Sequence, residues 1–268
     1  MFERQIVGIF LVKNEDLFFE QAVLNVMDFC DRVLIADNYS TDKTWDLARK
    51  LADAYTKIEC HRIARTHDSH EMIKQYAGTD TWVFGVDGDE IYDPEGLKEF
   101  RRGLFKGLYD DWWVLFGNVL NCTSLDPDRL KASGYLAPPC RSMTKLYNFK
   151  ALTSWEGPCL ERMLGGTPVF KQGLAASLRL TLHEQIPWEQ SFYRCLHTCF
   201  LRRSSLDPAS GRDRPNPVEL AGRNLWDKMG LGFLRTLIRG KKASWKKEKY
   251  LRGDLVTLDV SPFFPKVA

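Results

Sequence analysis

The chain has 268 residues, 44% apolar and 27% charged, with a net charge of +3 at neutral pH. This suits one large α/β domain, or a domain with an appendage, and argues against a disordered or fibrous chain. No stretch approaches the roughly 18 to 20 apolar residues of a membrane span, and seven cysteines without a C-x-x-C indicate neither a disulfide framework nor a zinc ribbon.

Residues 6–12 are an apolar run that reads as a first strand, closed by Lys13-Asn14-Glu15. Residues 17–29 carry apolar side chains at helical spacing. Residues 32–36 read as a second buried strand ending at Asp37, followed by the turn formers Asn38-Tyr39-Ser40-Thr41-Asp42. A helix is expected over 44–55, a third strand over 58–62 and a short helix over 68–76. Residues 82–86 are a fourth strand that runs into Asp87-Gly88-Asp89-Glu90. Strands alternating with helices at this spacing imply βαβ units and a mainly parallel sheet. Right-handed crossovers then place the strand ends on one edge.

The pattern changes after Asp93-Pro94. A helix is expected over 95–108, a long aromatic strand over 112–120, a loop over 127–139 and a strand over 143–147. Residues 154–158 read as a loop leading to Glu161, and 177–182 as a strand ending at His183. Residues 188–203 read as a helix, with Phe192, Leu196 and Phe200 at spacing four. On that helix Cys195 and Cys199 share a face and His197 points away, which favours core packing over a metal site.

Residues 207–217 are rich in Pro, Gly, Asp and Arg, so a linker is expected, then basic amphipathic helices over 218–250. From 202 to 252 there are 14 Lys/Arg against 5 Asp/Glu, while the remainder carries a net −6. Such a basic end suits an anionic membrane surface or a nucleic acid, or simply a solvated face. The opening residues do not read as a secretory leader, so the expected location is cytoplasmic, peripheral to a membrane if the basic end meets one.

Three strand ends carry polar clusters: Lys13-Asn14-Glu15, Asp37-Asn38 and Asp87-Gly88-Asp89. No G-x-G-x-x-G follows the first strand and no P-loop occurs, so dinucleotide and P-loop readings fail. Gly88 lets the backbone turn tightly, bringing Asp87 and Asp89 towards one point. Two such carboxylates suit a hard divalent cation, Mn²⁺ or Mg²⁺, completed by phosphate oxygens and water. The plainer alternative is a solvated acidic turn. Trp112, Trp113 and Trp155 offer apolar faces for a sugar ring, although aromatic residues in strands more often belong to a core.

Val12-Lys13-Asn14-Glu15, Ala36-Asp37-Asn38-Tyr39-Ser40-Thr41-Asp42-Lys43-Thr44 and Asp87-Gly88-Asp89-Glu90, in this order over about residues 5–95, resemble the amino-terminal half of family 2 glycosyltransferases of GT-A fold. The resemblance implies a Rossmann-like, mainly parallel sheet over residues 1–205, with 206–268 as linker and basic helical extension. It implies a nucleotide-sugar donor, a uridine or guanosine diphosphate sugar. Lys13, Asn14, Glu15, Asp37 and Asn38 would face the donor, with Asp68 in a nearby loop, and Asp87 and Asp89 would lie at the metal-diphosphate. Trp155-Glu156-Gly157-Pro158-Cys159-Leu160-Glu161 is similar to a family segment that has His before its glutamate. Leu160 departs from that pattern while the carboxylate remains. Glu161 is then the expected catalytic base of an inverting transfer, unless it only pairs with Arg162 or Arg141. His183 is the expected third metal ligand, unless it is structural.

Because the acidic cluster is expected near the surface, Asp89→Ala should abolish metal-dependent donor binding and leave the fold intact. The rival readings are a metal-dependent nucleotidyltransferase and a non-catalytic module binding nucleic acid or membrane. The first should carry a glycine-rich basic loop where Lys13-Asn14-Glu15 stands. The second would leave the carboxylates without work.

Overall fold

The computed structural model describes residues 3–136, 144–161, 164–208, 250–251 and 253–265, with backbone alone for 157–161 and 164–166. The first half alternates strictly: β1 (Gln5–Val12), α1 (Phe19–Asn25), β2 (Arg32–Asp37), α2 (Thr44–Ala54), β3 (Ile58–Arg62), α3 (Ser69–Ile73) and β4 (Thr81–Val86). Then come β5 (Glu90–Tyr92), α4 (Pro94–Phe105), β6 (Val114–Phe116), β7 (Asn118–Asp126), β8 (Lys131–Leu136) and β9 (Lys145–Asn148). The rest comprises β10 (Leu152–Glu161), β11 (Leu164–Phe170), β12 (Arg179–Thr181), α5 (Leu182–Gln185), β13 (Arg194–His197) and β14 (Leu255–Asp259).

Among the described residues, seven strands form the main sheet in the order β12-β6-β9-β4-β1-β2-β3. β4, β1, β2 and β3 run parallel, β9 is antiparallel between β4 and β6, and β12 is parallel to β6. This is the mainly parallel, helix-flanked architecture expected. β1 and β4 are buried almost throughout, which is why they read as continuous apolar runs. α4 starts where the sequence says it should. Asp93 accepts a hydrogen bond from the Gly96 amide at 3.0 Å, and Pro94 takes the first turn, where no amide is needed.

A second sheet, β14-β8-β7-β13-β5, continues the body beyond the main sheet. Between the two sheets Phe84, Tyr92, Phe100 and Tyr193 form an aromatic cluster, with Phe100 and Tyr193 stacked at 4.8 Å. Trp113, Tyr147, Phe149 and Trp155 pack a further core on the opposite face. Trp113 and Trp155 are each only 7% exposed and belong to that core, although Trp155 also borders an open groove. Trp112 packs against the main core.

Three local readings change. The aromatic strand expected over 112–120 is two strands that part at Gly117 and enter different sheets. A Cβ at Gly117 would overlap the backbone carbonyl of Tyr193, the oxygen that accepts from Asn118 N at 2.8 Å. Gly117→Ala must therefore push two backbones apart, and a loss of about 3 kcal/mol is expected, the upper end for overpacking, read as a lowered thermal midpoint. An unchanged midpoint would show that this junction yields freely. The loop expected over 127–139 contains β8, paired on both edges, with Gly134 fitted against the Asn121 carbonyl. The helix expected over 188–203 is a single short turn followed by β13, held between β7 and β5. Cys195 and His197 thus lie on one strand face.

Of the described residues beyond 205, Leu255–Asp259 pairs with β8, and Phe263 stacks on Trp188 at 5.8 Å. The amide of Asn25 in α1 donates to the carbonyls of both Tyr92 and Phe263. This part of the expected extension is integral to the body. Residues 209–249, where the linker and most of the basic helices are expected, lie outside the described residues.

Candidate functional site

The carboxyl ends of β1, β2 and β4 meet on one edge, with Val12 in register with Asp37 and Phe10 with Val86. The loops that leave β1 and β2 are laced together. Asn14 takes a left-handed turn, φ 55°, which asparagine tolerates. Its side-chain oxygen accepts from the Thr41 amide at 2.7 Å. The amides of Asn14 and Glu15 donate to the Ser40 and Thr44 hydroxyls. Lys13 reaches Asn38 at 3.2 Å, and Asn38 donates to the Ile63 and Ala64 carbonyls. Lys13, Asn14, Glu15 and Asn38 therefore stand together, and much of their hydrogen bonding shapes this edge.

Asp37 is fully buried. Its oxygens accept from the Ser40 amide and lie 3.6 Å from Arg62 Nε. The Arg62 guanidinium in turn lies over the rings of Tyr39 and Trp45. Asp37 thus presents Arg62 and Tyr39, more than itself, to anything binding here. Asp68 bonds Arg65, which holds its carboxyl below the usual carboxylate range. The pair lines an open groove of about 590 Å³ together with His70, Lys74, Trp155 and Glu156.

After β4 the chain turns at Gly88, where a Cβ would displace the Glu15 carboxylate and crowd Val12. Asp87 stays partly open, its side chain 21% exposed, with Lys145 Nζ at 3.5 Å. Glu90 turns inward and accepts from Tyr92 Oη at 3.2 Å and from the Asp87 amide at 3.3 Å. Asp89 is 2% exposed. Its carboxylate meets Arg203 Nη1 at 2.5 Å and His197 Nε2 at 3.8 Å, while Glu15 accepts from the same Arg203 nitrogen at 3.3 Å. Burial alone would lower the Arg203 pKa, but Asp89 and Glu15 outweigh it and keep the guanidinium charged. His197 Nδ1 is hydrogen-bonded to Asn121 at 2.8 Å.

The expectation that Asp89 is a surface group whose loss leaves the fold intact is therefore corrected. A carboxylate this buried, paired with a guanidinium, is part of the packing. Arg203, Lys145 and His197 were not anticipated as members of the site. Lys145 left only the hint of a lysine in an otherwise alternating strand, and Arg203 and His197 were hidden in a segment read as helix.

Two further residues were expected in the site, His183 and Glu161. His183 lies in α5 with its side chain 11% exposed, and neither ring nitrogen has a hydrogen-bond partner among the described residues. Burial lowers its pKa, so the neutral ring is favoured. Among the described residues no three His, Cys, Asp or Glu side chains gather as a metal cage. Glu161 ends β10, opposite Leu164 of β11. Its side chain is outside the described residues. No described helix is long and apolar enough to cross a membrane.

No family model and no curated protein matches the chain. Among solved structures it is similar to S. aureus TarS at 16% identity and TM-score 0.37, over 54% of this chain and 28% of that one. It is similar to glucosyl-3-phosphoglycerate synthase from Mycobacterium tuberculosis, solved with Mn²⁺, UDP and glucosyl-3-phosphoglycerate, at 16% identity and TM-score 0.34, over 43% of this chain and 44% of that one. The mannosyltransferase PcManGT from Pyrobaculum calidifontis, solved with GDP-Man and Mn²⁺, matches at 13% identity and TM-score 0.43, over 92% of this chain and 67% of that one. The chain thus spans less than half the length of the first two.

Proposed function

We propose that the chain is a metal-dependent glycosyltransferase of GT-A type, resembling family 2, that moves a sugar from a uridine or guanosine diphosphate donor to an acceptor hydroxyl with inversion. The observation that carries this reading is the meeting of three motif-bearing ends, Lys13–Glu15, Asp37–Asp42 and Asp87–Glu90, on one edge of a parallel sheet. That edge is where open α/β sheets bind ligands.

The donors present fit a hard cation. Among the described residues four carboxylates, Asp87, Asp89, Glu15 and Glu90, gather at this turn with Arg203 and Lys145 beside them, an oxygen-rich set of the kind hard cations take. Asp87 and Asp89 would hold Mn²⁺ or Mg²⁺, with phosphate oxygens and water filling a shell that the protein does not cage. When bound, the cation offsets charge developing on the departing diphosphate. Lys145 keeps the Asp87 carboxylate oriented. Arg62 and Tyr39, braced by Asp37, would meet the nucleoside. Glu161 would take the proton of the acceptor hydroxyl as it attacks the anomeric carbon, with no covalent enzyme intermediate.

A thermal-shift panel of nucleotide sugars, with and without Mn²⁺, tests the reading. The true donor at 100 times its Kd should stabilise the protein by about 2.7 kcal/mol, a rise of roughly 5 to 10 °C for a chain of this size. No shift with any nucleotide sugar in Mn²⁺ would sink the proposal. A shift with nucleoside triphosphates alone would favour nucleotidyl transfer.

A further inference from the structure

Arg203 is an unusual group to find at the acidic turn. The segment that carries it is strapped across the site. Thr198 N donates to the Asp89 carbonyl and Leu17 N to the Arg203 carbonyl. The Ser204 hydroxyl bonds Asp42 at 2.6 Å, the Ser205 amide bonds Asp16 at 2.6 Å, and Asp207 accepts from the amides of Arg203 and Ser204. The strap is thus fastened to the loops after β1, β2 and β4, and the guanidinium is fixed before any ligand arrives.

A guanidinium carries five N–H donors in a planar fork. Nη1 serves both Asp89 and Glu15. Nε and Nη2 make no hydrogen bond among the described residues, and the side chain is 13% exposed. Two carboxylates therefore hold the Nη1 corner of the group, and the Nε–Nη2 edge keeps its donors. A planar fork presented this way matches phosphate oxygens, and a donor aimed in advance costs no reorganisation.

We propose that Arg203 is a resident cation of the donor site, held from behind by Asp89 and Glu15 and donating from Nε and Nη2 to the diphosphate of the nucleotide. This rests on the donor-site reading above. It adds that part of the diphosphate affinity belongs to the chain itself and survives removal of the divalent cation.

The test is calorimetric titration of UDP, GDP, UMP and GMP into wild type, Arg203→Lys and the doubly neutral Asp89→Asn/Arg203→Gln, in Mn²⁺ and in EDTA, with thermal midpoints recorded alongside. Wild type should bind a diphosphate in EDTA, more weakly than in Mn²⁺. Arg203→Lys keeps a charge for Asp89 but loses the fork, and should weaken the diphosphate by about 10- to 100-fold, the worth of one or two charge-assisted hydrogen bonds. The monophosphate should change far less, since a merely structural role would weaken both alike. If the lysine variant melts early, the double variant carries the test, because it removes both charges of the Asp89–Arg203 pair together and should lose diphosphate binding in EDTA. Wild-type affinity for the diphosphate in a folded variant, or no diphosphate binding by wild type in EDTA, overturns the proposal. Absence of diphosphate binding even in Mn²⁺ overturns the donor-site reading and this one with it.

Discussion

Asp89→Ala is expected to unsettle the fold as well as the donor site. The Asp89 carboxylate is 2% exposed and bonded to a guanidinium that is itself largely buried. Removing one partner of a buried ion pair leaves the other charge uncompensated, which costs about 3–5 kcal/mol. For a chain of this length that is a fall in thermal midpoint on the order of 10 °C. Glu15 still meets Arg203 at 3.3 Å, which puts the loss towards the lower end. Asp89→Asn keeps the volume and an acceptor, so it should retain most of the stability while losing metal-dependent donor binding. Comparing the two variants by melting and by donor titration separates the structural share of Asp89 from its share in the site. Wild-type melting of the alanine variant would mean that Arg203 finds water or another partner without cost.

Glu161→Gln should lower kcat by about 10²-fold or more, the usual worth of a positioned general base, with donor affinity little changed. The variant keeps the side-chain volume and leaves the donor-binding edge untouched. β10 and β11 pair irregularly in the stretch leading to this residue, with register shifts between Glu156 and Cys159 and between Cys159 and Glu161. Two other carboxylates compete for the role. Glu156 lines the groove beside Trp155 and His70, and Glu184 accepts from the Thr181 hydroxyl at 2.7 Å. Steady-state transfer rates of the three glutamine variants, measured in parallel, decide among them. Wild-type turnover in Glu161→Gln with a collapse in Glu156→Gln would move the base to the groove. Full activity in all three would remove the case for a carboxylate base and for inversion.

The two halves of the molecule differ in how far local sequence sets their structure. β1, β2 and β4 are each bounded by their own turn chemistry, and each buries an apolar run against neighbouring helices. Local pattern is then enough. The lacing of Asn14 to Thr41 and of Glu15 to Thr44 joins residues only about 30 apart, within a single βαβ unit. Cap formers such as Asp42 and Asp93 stood where the helices start. β13 is different. Phe192, Leu196 and Phe200 have helical spacing, yet Phe192 is 56% exposed and Leu196 is fully buried between β7 and β5. What makes 194–197 a strand is hydrogen bonding to residues 118–121 and 90–92, and no local window contains those partners.

By itself, then, the amino-acid sequence determined the alternating first half, the parallel strands and the edge on which their polar ends gather, because buried parallel strands and turn residues write their preferences locally. Only the tertiary structure decided which of those polar groups stay open and which are covered. Asp37 is covered by its own turn and by Arg62, Asp87 stays partly open beside Lys145, and Asp89 is turned onto Arg203, 114 residues further along the chain. The charge of a carboxylate is evident from its residue type, but its accessibility and its counter-ion are set by whatever distant segment packs over it, and burial makes that choice energetically decisive.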